Sequence, residues 1–217
     1  MLFVSRLIII LIAASIGMVR YKKLSMPFKL LSIYLLTLLI DEIANPLVIR
    51  LYKNNLVLLH SETIIQYLFL ASIYYCLFRS NKLKRAIVIL TFVVLAFFVF
   101  NLIVLQPINS MFPSNAMIAN EIIFVILSLV MFKQMLLYPV QVNIMKQGVF
   151  WFNTAILFFS ATMFLNFAMI NYYYEHNVQT PVLAFSWNGS EILLNLLLGF
   201  AILIEMPQTN QQVDAKY

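Results

Sequence analysis

The chain has 217 residues, 63% of them hydrophobic and 10% charged, with a formal net charge of +6 and a mean hydropathy of +0.94. Soluble domains carry about 45–50% apolar and about 25% charged residues, so a water-soluble globular fold is excluded and a membrane protein is expected. The basic residues stand in short blocks beside apolar runs, where anionic lipid and membrane orientation account for them and nucleic-acid binding does not.

A helix needs about 20 mainly apolar residues to cross a bilayer core. Seven segments qualify: 2–19, 28–51, 60–78, 86–105, 116–138, 148–170 and 182–204. The expected fold is all-α, a polytopic seven-transmembrane-helix bundle forming a single domain over 1–217. The second and third segments are the least apolar, because Asp41 and Glu42 lower one while His60 and Glu62 open the other.

The first segment has features of a signal peptide, with Arg6 as its charged region and Ala13-Ala14-Ser15 as a loose cleavage site. Positive charge is heavier after it than before it, which predicts a retained helix starting outside. Arg20, Lys22, Lys23, Lys29, Arg79, Lys82, Lys84, Arg85, Lys133, Lys146 and Lys216 fall on one side, and Arg6, Arg50 and Lys53 on the other, a division of eleven against three. The expected topology places the N-terminus outside and the C-terminus in the cytoplasm, in a bacterial inner membrane. Tyr52, Phe112 and Trp151 are expected at the interfaces, as aromatic anchors. The single cysteine, Cys76, lies in an apolar run and reads as a buried small hydrophobe.

The informative residues are polar ones inside the spans. A charged side chain at mid-membrane costs about 2.5 kcal/mol or more, so an intramembrane acid marks a functional site by default. Asp41, Glu42 and Asn45 lie in segment two, Glu62 and Gln66 in segment three, Asn101 in four, Asn120 and Glu121 in five, Asn166 in six, and Asn188, Ser190 and Glu191 in seven. Counting depth at about 1.5 Å per residue puts all of them in the outer half of the bilayer. Helical spacing gathers Tyr34, Thr37, Asp41 and Asn45 on one side of segment two, and Asn188, Glu191, Asn195 and Gly199 into a stripe on segment seven. Pro46 removes a backbone donor and is expected to kink segment two. No basic side chain is expected at the level of the acids.

Carboxylates with histidine can hold a metal, but His60 and His176 show no His-Glu-x-x-His spacing, so neither a metal nor any other cofactor is expected. Ser61 lacks a Gly-x-Ser-x-Gly setting, and no catalytic residue is assigned. Asn188-Gly189-Ser190 reads as a packing feature rather than a glycosylation site.

Several short motifs carry a resemblance: Lys53-Asn54-Asn55-Leu56 leading to His60, Thr63-Ile64-Ile65-Gln66-Tyr67, Phe78-Arg79-Ser80-Asn81-Lys82 with Lys84, Gln106-Pro107 with Asn109, and Phe150-Trp151-Phe152-Asn153. Over roughly Leu31 to Leu203 the chain resembles a widespread group of bacterial seven-helix membrane proteins whose genes often stand beside sensor kinases. The resemblance implies acids at Glu42 and Glu121 and a histidine at His60. It also implies an acid where this chain has Gln66 and a histidine within Asn188 to Ser190, and there the chain departs. It implies signalling but no particular activity.

The expected function is a receptor-like sensor or signalling subunit. An outward-facing pocket of Asp41, Glu42, Asn45, Glu62, Gln66, Glu121, Asn188 and Glu191 would bind a small molecule, and Arg79, Lys82, Lys84 and Arg85 would face a membrane or cytoplasmic protein partner. The alternatives are a membrane-embedded enzyme acting on a lipid or isoprenoid, and a proton-coupled transporter with an inner vestibule of Tyr34, Asn153 and Thr154.

Overall fold

The computed structural model describes residues 2–139, 143–176 and 181–205. All seven expected spans are helices: α1 Leu2–Arg20, α2 Met26–Tyr52, α3 Leu56–Leu77, α4 Asn81–Phe100, α5 Ser114–Leu137, α6 Gly148–Glu175 and α7 Pro181–Ile204. Seven helices are long and apolar enough to cross a membrane, and no strand occurs among the described residues. Lys216, counted above for orientation, lies outside those residues.

The two least apolar segments are continuous helices of 27 and 22 residues. Helical backbone satisfies its own hydrogen bonds, so polar side chains inside it do not interrupt a span. α2 also continues through Pro46 to Tyr52, although the proline ring leaves the carbonyl four residues earlier, that of Glu42, without its helical donor. Other ends overrun the apolar segments. α4 takes Lys82, Lys84 and Arg85 into its first two turns, and α6 runs five residues past 170 to Glu175. Apolar length measures hydrocarbon thickness, whereas a helix ends only where its backbone finds another partner.

α1 packs between α2 and α7, and the ring continues through α3, α5 and α6 back to α7. Six helices therefore close around a centre, and α4 leans on α3 from outside. This makes Asn101 an exception to the expected polar layer. It begins a π turn, Asn101–Leu105, closed by the Gln106 N–H donating to the Asn101 carbonyl at 2.7 Å. Its side-chain amide donates to Gln106 Oε1 at 3.2 Å, and Gln106 donates onward to Ser114 Oγ at 2.7 Å, so these amides fasten the α4–α5 connection.

Outward faces are apolar, as at Phe92, Val93, Ile103 and Leu136. Cys76 belongs to this outer surface. The expectation of a buried thiol is corrected: Tyr74 and Phe78, on either side of it, turn inward, which leaves position 76 on the α4 side of α3, where it lines a shallow groove. Phe112 departs from expectation in the opposite sense. It packs inward against Phe167 and Trp187, with ring centroids 6.2 and 6.1 Å away.

A buried polar knot joins α3, α5 and α6 in the half of the ring remote from the acids. The Tyr74 hydroxyl lies 2.7 Å from Ser128 Oγ and donates to Asn153 Oδ1 at 2.9 Å, while Asn153 Nδ2 donates to the Ser128 carbonyl at 3.0 Å. Tyr74→Phe leaves Asn153 Oδ1 buried without its donor. The expected loss is about 1 kcal/mol, read as a lower midpoint of thermal unfolding in detergent, with the helix content of the folded state unchanged.

Candidate functional site

Every helix of the ring contributes to one cavity of about 60 Å³. Six of the eight sequence-predicted binding residues line it: Asp41 and Glu42 from α2, Glu62 and Gln66 from α3, Glu121 from α5 and Glu191 from α7. They meet because α2 and α6 arrive at this end of the ring while α1, α3, α5 and α7 start from it. Asn45 and Asn188 are not among the lining residues. Asn45 Oδ1 accepts from Asn55 Nδ2 at 3.0 Å, which ties the end of α2 to the start of α3. Asn188 Nδ2 donates to the Ala184 carbonyl of its own helix at 2.7 Å. Within Asn188-Gly189-Ser190, Gly189 is exposed with nothing near its Cβ direction, and Ser190 is buried.

The acids are not without a cation. Arg6 of α1, assigned above to the outer flank, reaches into the ring. Its Nε donates to Glu42 Oε1 at 2.9 Å and its Nη2 to Oε1 and Oε2 at 2.6 and 2.7 Å, a fork that a planar guanidinium fits. Its Nη1 also pairs with Glu191 Oε2. Glu191 is held from a second direction by Trp187 Nε1, 2.6 Å from Oε1. The sequence carried one usable signal for this pairing: Arg6 is the only basic residue between positions 1 and 19, inside an apolar run, where the rule applied to the acids applies equally to a cation.

One guanidinium thus stands among five carboxyl groups. Asp41 and Glu62 receive no hydrogen bond from the described residues. Glu121, 1% exposed, has Ser160 and Gln66 as polar neighbours, yet its Oε2 has no hydrogen-bond partner among the described residues. Asn195 donates to the Glu191 carbonyl at 2.8 Å, and its Oδ1 is buried without a partner among the described residues. Such acceptors are expensive to leave unmet, so the cavity lining calls for donors. Among the described residues no three His, Cys, Asp or Glu side chains are grouped to hold a metal ion.

Around this chamber the protein is closed on one side and open on another. Phe167 and Trp187 line the cavity and pack edge to face at 5.2 Å, and Phe112 of the α4–α5 connection covers both. His60 Nε2 lies 3.2 Å from the Met111 carbonyl and fixes the same connection to α3. Between α2 and α3, by contrast, a cleft of about 270 Å³ shares Tyr34, Leu38, Asp41 and Glu62 with the cavity.

The basic residues expected to face a partner sit elsewhere, at the α3–α4 turn. Arg79, Lys82 and Arg85 are exposed, Lys84 lies over the Tyr75 ring at 5.5 Å, and the Arg79 backbone N–H donates to Gln134 Oε1 at 2.9 Å. Compared with models of protein families, with curated proteins and with solved structures, the chain matches none.

Proposed function

We propose that the protein is a receptor-like membrane sensor or signalling subunit whose ring of helices holds a chamber for the cationic, hydrogen-bond-donating part of a small ligand. The reading rests on one observation: five carboxyl groups from four helices line one cavity, a single guanidinium pairs with only two of them, and two buried acceptors in its wall, on Glu121 and Asn195, have no donor among the described residues. An ammonium supplies charge and three N–H donors together. The proposal places the chain in a bacterial inner membrane, N-terminus outside. Moving Arg6 out of the flank count leaves only Arg50 and Lys53 on the outer side, so the charge asymmetry supporting this orientation becomes steeper.

The α3–α4 turn is the surface offered to a protein partner, through Arg79, Lys82, Lys84 and Arg85. A transporter gains no support from the inner half, where Asn153 is bound to Tyr74 and Ser128 and the Thr154 hydroxyl donates to the Phe150 carbonyl at 2.8 Å. A membrane enzyme for a lipid or isoprenoid is the second reading. The apolar approach to Asp41 and Glu62 favours it, and recovery of a chemically altered amphiphile after incubation would establish it.

The test is thermal unfolding of the reconstituted protein with a series of primary amines. At least one amine is expected to raise the midpoint by several degrees, while alcohols of equal chain length leave it unchanged. Glu121→Gln, which replaces an unpartnered carboxyl oxygen with an amide, is expected to reduce that rise by half or more. No response to any amine would remove the chamber from the account. Lys82→Ala with Lys84→Ala and Arg85→Ala is expected to leave the amine response intact and to abolish cross-linking to the signalling partner.

A further inference from the structure

We infer that the ligand is a single-chain amphipathic amine taken from the bilayer, entering sideways between α2 and α3 with its head at Asp41 and Glu62 and its aliphatic chain in the cleft. The inference rests on the chamber reading above and specifies its ligand class and route.

Three observations carry it. First, the two voids are unequal and adjacent, with Tyr34, Leu38, Asp41 and Glu62 lining both. The chamber of about 60 Å³ has room for a small head group, whereas the cleft beside it measures about 270 Å³. Second, the cleft is walled by α2 and α3 alone, with apolar Ile40, Ala44, Leu58 and Ile65 along it. Ile40 and Ile65 are exposed on the outer surface of the bundle. The opposite approach, past the α4–α5 connection, is covered by Phe112, Phe167 and Trp187. Third, the polar groups of the cleft are sorted. The Thr37 hydroxyl donates to the Tyr34 carbonyl at 2.7 Å and the Ser61 hydroxyl to the Leu58 carbonyl at 2.8 Å, so both are satisfied within their own helices. Asp41 and Glu62 are not satisfied in this way, and both line the cleft as well as the chamber.

Charge selects the head group. Arg6 is committed to ion pairs with Glu42 and Glu191, which leaves Asp41, Glu62 and Glu121 as the chamber carboxyl groups with no ion pair among the described residues. An anionic or zwitterionic head would bring a negative group against them, and a neutral alcohol supplies one donor where several acceptors wait. The cleft matches a chain that is already in the membrane, so a hydrocarbon tail gives up lipid contacts and regains similar ones.

The experiment uses the full chain in phosphatidylcholine nanodiscs, with dodecylamine, butylamine and dodecanol as probes. Dodecylamine is expected to raise the unfolding midpoint at a total concentration at least tenfold below that at which butylamine acts, and dodecanol to have no effect. Ala44→Phe and, separately, Ile65→Phe fill the cleft and leave every acid in the sequence unchanged. Each is expected to remove the dodecylamine response, while Leu136→Phe on the outer face of α5 keeps it. Ligand-free midpoints equal to that of the native chain verify that the variants fold. Asp41→Asn with Glu62→Gln is expected to abolish the response to both amines. If both amines act at equal total concentration and the filled-cleft variants respond normally, the lateral route is wrong and the chamber reading survives. If neither amine acts on the native chain, both are wrong.

Discussion

Replacing Arg6 by Met is expected to destabilise the folded protein by about 3–5 kcal/mol, the cost of removing one partner from a buried ion pair. Among the described residues all three side-chain hydrogen bonds that Glu42 accepts come from this guanidinium, so its loss leaves that carboxylate without a donor. Glu191 keeps Trp187 but loses its cation. For a chain of this size that corresponds to a fall of roughly 6–20 °C in unfolding midpoint. Arg6→Lys keeps the charge without the fork and is expected to fall between the native chain and Arg6→Met. The triple change of Arg6→Met with Glu42→Gln and Glu191→Gln separates charge burial from packing. It is expected to recover more than half of the loss, since no uncompensated charge then remains. An Arg6→Met midpoint within a degree of the native one would mean that the guanidinium does not hold α1, α2 and α7 together.

Gly148→Val is expected to cost about 3 kcal/mol, the upper end for an overpacked site. Gly148 begins α6 where that helix meets the last turn of α7 and the side of α2. A Cβ there would lie 2.6 Å from the Ala201 carbonyl oxygen, 2.8 Å from Glu205 Oε2 and 2.9 Å from Phe28 Cζ. The nearest of these is backbone and cannot swing away. It is further held because the neighbouring α7 terminus is gripped by Arg20, which donates to the Ile202 and Glu205 carbonyls at 2.9 Å each. Ser25 donates to Glu205 Oε1 at 2.9 Å and steadies the second neighbour. Gly189 supplies the control, since nothing lies within 4 Å of its Cβ direction. Gly189→Ala is expected to leave stability unchanged or raise it by up to about 1 kcal/mol through helix propensity. Denaturation of the two variants side by side measures the difference. Equal stabilities would show that α6 can retreat from α7 at no cost.

Hydropathy located the seven helices because lipid makes each span satisfy its own backbone, so a span is legible without knowledge of its neighbours. Depth counting likewise found six of the cavity residues. In α2, Asp41 is about 16 Å from the helix end at Tyr52, and in α7, Glu191 is about 15 Å from the start at Pro181, at about 1.5 Å per residue. Depth is one coordinate, however, and says nothing about the direction in which a side chain points. Asn45 and Asn188 have the right height and serve local hydrogen bonds, and Asn101 belongs to a helix outside the ring. Thr63, Trp187 and Asn195 line the chamber but do not stand out from ordinary span residues, although Asn195 lies on the stripe with Glu191.

The sequence by itself determined that the chain is all-helical, where its spans lie, and that acids from several of them share a level, since these follow from local composition and helical rise. Only the tertiary structure decided that α1 closes the ring, that Arg6 leaves the flank to pair with Glu42 and Glu191, and that α2 and α3 part beside Asp41 and Glu62. Those features depend on which helices become neighbours and how each is turned about its axis. Rotation is set by contacts between residues as far apart as 6 and 191, a relation that no window along the chain contains.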